Sequence, residues 1–123
     1  KDDGLKFIDF EYFGWDDPIK LISDFSHHAA MNLTNTMEQL WFQGVKDIYG
    51  DFILSRLKAS WPLYGLNWCL IMLNEFKSDV WSKRCLANQE IKHNRDDILL
   101  GQLTKSRNKL KHISECYKDK EFW

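Results

Sequence analysis

The sequence has 123 residues, 44% of them hydrophobic and 15% aromatic, which supplies one domain with a real core and excludes disorder as the main state. Seventeen Lys and Arg against eighteen Asp and Glu leave a net charge of -1, which excludes a nucleic-acid binder driven by bulk charge. No window of about eighteen apolar residues exists, so no membrane-spanning helix is expected.

The chain opens on Lys1-Asp2-Asp3-Gly4, and Asp-Gly is a tight-turn signal. Residues 5–13 are rich in aromatic and β-branched side chains and read as a short strand. A hairpin turn needs a strand on each side. One expectation is therefore that the first strand lies upstream and that this sequence is the later part of a longer protein. The other is a turn that caps a lone extended terminus. Asp9 and Glu11 stand two apart and so share one side of the strand. Carboxylates among apolar neighbours are costly to desolvate unless something cationic meets them. Mg²⁺, which prefers oxygen ligands, is one such partner. An exposed edge strand with solvated acids is the competing reading.

The remainder reads as helices. Gly14-Trp15-Asp16 is a loop, with Asp17 suited to the N-cap and Pro18 to the first helical position. Ile19, Ile22, Phe25 and Ala29 keep helical spacing, and residues 30–34 break it. Asn35-Thr36-Met37-Glu38 resembles a capping box with Asn35 as the cap. The helix it opens carries Leu40, Trp41, Val45 and Ile48 and stops at Gly50. Asp51 starts another through Phe52, Ile53, Leu57 and Ala59, which Pro62 is expected to break or kink. Residues 63–76 are apolar nearly all round, which predicts a buried central helix. Ser78 is the expected cap of a helix through Trp81, Cys85 and Leu86, followed by a polar joint at His93-Asn94-Arg95. The last helix is expected over residues 96–117, with Leu99, Leu103, Leu110, Ile113 and Tyr117 as a stripe that Ser106 interrupts.

Few side chains outside the strand carry recognisable chemistry. His27 and His28 are adjacent on a helix and about 100° apart in projection, which suits a partly buried core histidine better than a metal pair. Cys69, Cys85 and Cys116 lie 16 and 31 residues apart, too far for a CxxC motif, and read as reduced thiols of a cytoplasmic protein. No phosphate-cradling glycine motif and no nucleophile triad is present. Trp15, Trp61, Tyr64 and Trp68 could line a pocket, although each singly is more often a core residue. Residues 61–123 carry eleven basic and eight acidic side chains, a mild excess that reads as a solvated helix face.

The stretch Phe7-Ile8-Asp9-Phe10-Glu11-Tyr12, followed by Gly14-Trp15 and Asp16-Asp17-Pro18, resembles the aminoglycoside phosphotransferase and choline kinase family of kinase-fold enzymes. Tyr64-Gly65-Leu66-Asn67-Trp68 with its apolar helix is similar to that family's late helical region. The resemblance implies that Asp9 holds Mg²⁺ on the phosphates of ATP. It implies that Glu11 supports the metal directly or through water. It further implies an acceptor site walled by the helices, with Trp15, Tyr64 and either Asn67 or Trp68 as contacts. The phosphate loop, the strand lysine and the H-x-D-x-x-x-x-N catalytic loop do not occur in these 123 residues.

The resulting expectation is a mainly α fold, with one short N-terminal strand and five to six helices, forming the C-terminal subdomain of a kinase-like lobe. Residues 1–17 would be the metal-binding strand and loop, and residues 18–123 the helical subdomain. The fragment would be inactive alone. Its partners would be the upstream lobe and a small-molecule acceptor, with neither nucleic acid nor membrane, and its uncovered surface would favour self-association. A helical interaction module without catalysis is the alternative, and a kinase-fold relative that has lost activity is a third.

Overall fold

The structure, a computed structural model, describes residues 14–119. Within them the chain is helical and contains no strand, so the expected mainly α architecture holds. The strand expected over residues 5–13 lies outside the described residues, and Asp9 and Glu11 with it. Five α-helices follow in order: α1 (Pro18–His27), α2 (Asn35–Tyr49), α3 (Phe52–Met72), α4 (Ser78–Ala87) and α5 (Arg95–Asp119). Short 3-10 helices at Leu73–Phe76 and Gln89–Asn94 join the last three.

Helix α1 starts where its local chemistry dictates. The Asp17 carboxylate accepts the Ile19 amide at 3.0 Å, and Pro18 occupies the first turn. Arg56 of α3 meets the same carboxylate and ties the start of α1 to the middle of the chain. Capping and the Arg56 guanidinium hold the Asp17 carboxyl below the usual carboxylate range. Helix α2 ends at Gly50, whose φ of 79° is the left-handed region that favours glycine.

Its start differs from expectation. Thr34, not Asn35, is the cap, and its hydroxyl accepts the Met37 amide at 3.3 Å. Glu38 then stands one position too late to close a capping box and points its carboxylate elsewhere. Ser78 likewise is the first residue of α4 rather than its cap. Arg95 of α5 lies over the Trp81 ring of α4 at 5.5 Å, a cation–π contact across the joint.

Helix α3 is the centre of the fold, and it runs through Pro62 without interruption. Proline there removes the amide that the Lys58 carbonyl would accept, but Lys58 lies on the exposed side, where water can serve it. Packing supplies the rest. Ile53, Leu57, Trp61, Gly65, Cys69 and Met72 form one buried stripe at steps of four and three. Helices α1 and α5 pack along that stripe from two sides. The expectation that residues 63–76 are buried all round fails, since Leu63 and Leu70 are each 65% exposed. The face of α3 that neither α1 nor α5 covers stays in solvent, however apolar it is.

Polar side chains stitch the core. The Trp61 indole donates to the Ser26 hydroxyl at 2.9 Å, and that hydroxyl donates to the Ser23 carbonyl at 3.1 Å. Trp41 donates to the Ile22 carbonyl at 3.3 Å and stacks its ring 4.2 Å from Phe25. Ser106 is no interruption of the α5 stripe. It is buried and donates to the Cys69 carbonyl at 3.0 Å, joining α5 to α3. Leu110 and Tyr117, expected on the buried stripe, are exposed. Ser106→Ala is expected to lower stability by about 1 kcal/mol. Urea unfolding with the slope unchanged checks it. No disulfide joins Cys69, Cys85 and Cys116, and burial pushes the Cys69 thiol up, away from reactivity.

Candidate functional site

A cleft of about 360 Å³ opens where the end of α1, the start of α2 and the second half of α5 converge on the end of α3. Ser26 and His28 form its α1 side, and Ala29, Asn32 and Leu33 come from the turn that follows. Asn35 and Glu38 come from the first turn of α2. Met72 of α3 contributes an apolar side chain. Lys105, Asn108, Lys109 and His112 line the α5 side at steps of three, one and three, which is one helix face.

The charges in this cleft are partly withdrawn from water. Burial pushes the Glu38 carboxyl up, against the pull of His112 and Lys109. Burial pushes the Lys109 ammonium down, against the pull of Glu38. The two groups therefore feel each other across the cleft, yet no ion pair joins them. Both are half-buried, and among the described residues neither is in an ion pair.

Behind the cleft lies a buried, neutral contact between α1 and α3. His27 is fully buried, and its Nε2–H donates to the Trp61 carbonyl at 2.9 Å. That bond fixes the tautomer and leaves Nδ1 as a buried acceptor without a partner. Burial pushes the His27 pKa down to about 4, against the hydrogen bond to the Trp61 carbonyl, and the nearby Lys109 ammonium pushes it further down. His27 is the buried core histidine of the adjacent pair, whereas His28 is exposed. His28 accepts the Ala30 amide through Nδ1 at 3.2 Å and meets the Trp68 ring edge-on at 4.8 Å.

The aromatic candidates do not gather into a cage. Trp15 is fully exposed ahead of α1. Tyr64 is half-buried against the core, and Asn67 is exposed on α3. Trp68 is half-buried and donates to the Asp24 carboxylate at 2.9 Å. None of the four lines the cleft, although Trp68 reaches its edge through His28. Among the described residues no group of three or more His, Cys, Asp or Glu is placed to hold a metal ion. None of their helices is long and apolar enough to cross a membrane. The sequence marks Glu38 only as a capping acid and does not single out Lys105, Lys109 or His112. The polar spacing 105, 109, 112 was the available signal, but it is also the ordinary pattern of a solvated face.

No family model, no curated protein and no solved structure matches the chain.

Proposed function

We propose that this chain is the C-terminal helical part of a cytoplasmic phosphotransferase that uses ATP and Mg²⁺ to phosphorylate a hydroxyl of a small acceptor. The observation that carries the reading is the run Ile8-Asp9-Phe10-Glu11 leading within a few residues into a helix that Asp17 caps and Pro18 starts. Asp9 would hold Mg²⁺ on the ATP phosphates, and Glu11 would support the ion. The metal would neutralise charge that develops as the phosphoryl group moves. The phosphate loop and the catalytic base would come from upstream sequence, and this helical part would supply acceptor contacts. A cleft of mixed polar and apolar lining among the helices supports that division of labour.

The test is Asp9→Asn in the full-length protein. Mg²⁺-dependent ATP turnover is expected to fall by about 100-fold or more, since even outer-shell losses at metal sites reach that range. Turnover that survives within a few-fold would remove Asp9 from the metal site.

One observation favours a second reading. Leu63, Leu66 and Leu70 leave an apolar strip along the outer side of α3. A non-catalytic interaction module, or a self-associating helical domain, would use such a strip. That reading expects no response of the full-length protein to Mg-ATP.

A further inference from the structure

The cleft has an unusual charge arrangement. Its α2 side presents a carboxylate, Glu38, and its α5 side presents two ammonium groups, Lys105 and Lys109. Opposite charges within reach of each other close into an ion pair elsewhere in the fold, as Lys20 does with Asp24 at 3.2 Å. Glu38 and Lys109 do not, although both are half-buried and each lies in the field of the other. Holding two partly desolvated charges apart is costly unless something between them satisfies both. The cleft they share has a mixed lining, with Asn32, Asn35 and Asn108 beside the apolar Ala29, Leu33 and Met72. Asparagine amides both donate to and accept from hydroxyl groups. Its volume falls at the small end of ligand sites.

We propose that this cleft binds a small hydroxylated zwitterion, with its ammonium group on Glu38 and its anionic group on Lys109 and Lys105. An ammonium at Glu38 and a carboxylate or phosphate at Lys109 would give each of these half-buried charges a charge-assisted hydrogen bond. The same arrangement disfavours a polycation such as a multiply aminated sugar. Such a ligand would meet Lys105 and Lys109 with only one carboxylate in return. The inference rests on the phosphotransferase reading only in taking the occupant as the acceptor. Binding itself needs neither ATP nor Asp9.

A matched set of three probes tests it, by calorimetric titration of the full-length protein without nucleotide. Glucosamine 6-phosphate carries both charges, glucosamine only the ammonium, and glucose 6-phosphate only the anion. Glucosamine 6-phosphate is expected to bind at least about tenfold more tightly than either of the others. Glu38→Gln is expected to abolish its advantage over glucose 6-phosphate, and Lys109→Met its advantage over glucosamine. Equal binding of glucose 6-phosphate would make the cleft a plain anion site and overturn the proposal. Equal binding of glucosamine would make it a plain cation site, with the same consequence. Absence of binding by all three also overturns it. If either variant fails to fold, the three-way comparison on the unaltered protein still decides. Because ATP turnover is not part of the readout, a failed titration and a failed Asp9→Asn test are told apart.

Discussion

Gly65→Ala is expected to destabilise the fold by about 2 kcal/mol, although helix propensity alone argues the opposite. A glycine inside a helix costs about 1 kcal/mol relative to alanine, so on a solvent-facing helix the substitution would stabilise. Gly65 sits on the buried stripe of α3, where α1 and α5 both come close. A Cβ there would stand 2.8 Å from His27 Cε1 and 2.5 and 2.9 Å from Ile113 Cδ1 and Cγ1. The end of Ile113 can swing. The His27 ring has little room, because its Nε2–H is bound to the Trp61 carbonyl and its ring lies 4.0 Å from the Trp61 ring. Overpacking of this kind typically costs about 1–3 kcal/mol, and its upper range exceeds the propensity gain. Urea unfolding of the chain and its variant measures the difference. A stabilised variant would show that the three helices do not meet closely at this glycine.

Acid is expected to weaken the fold by about 3 kcal/mol through His27 alone. Its pKa is about 4 when folded against 6.5 when unfolded, and each unit of difference is worth about 1.4 kcal/mol. At pH 7 both states hold the ring neutral. Below pH 6.5 the unfolded chain takes up a proton that the buried ring refuses, so stability falls as pH drops toward 4. Below about pH 4 both states are protonated and this contribution levels off. Glu38 acts in the other direction, since its raised pKa lets the folded state take its proton first. The loss assigned to His27 is therefore read as the difference between the unaltered chain and His27→Gln, whose side-chain amide can still donate to the Trp61 carbonyl. Unfolding curves at pH 7, 5.5 and 4.5 are expected to converge for the pair at low pH. Parallel pH profiles would mean that His27 is hydrated in the folded protein.

These two effects share a cause that bears on the candidate site. His27, Trp61, Gly65 and Ile113 pack together behind the cleft, where α1, α3 and α5 meet. That cluster holds His28 and Ser26 on one side and Lys109 and His112 on the other. A loosened cluster would let Glu38 and Lys109 approach or separate, so the variants that probe packing also probe ligand preference.

Local chemistry was enough to place several helix ends. Asp17 and Pro18 start α1 because the cap and the fixed φ act on neighbouring amides alone. Gly50 ends α2 because one residue must take a left-handed φ, and the polar joint near His93 separates α4 from α5 for equally local reasons. Even the misplaced cap at Asn35 was off by one residue, with Thr34 offering the same chemistry. What the sequence could not decide depends on residues far apart in the chain. Pro62 stays helical because α1 and α5 bury the turn around it, and Ser106 is buried because the Cys69 carbonyl meets it. The apolar residues of α3 divide into a covered stripe and an exposed strip according to where its neighbours lie, which helical spacing alone does not reveal. The cleft is the clearest case. By sequence Glu38 is a capping acid and Lys109 one of many basic residues in the second half of the chain, and only the packing of α2 and α5 on α3 brings them to one cleft, partly dry and with no ion pair between them.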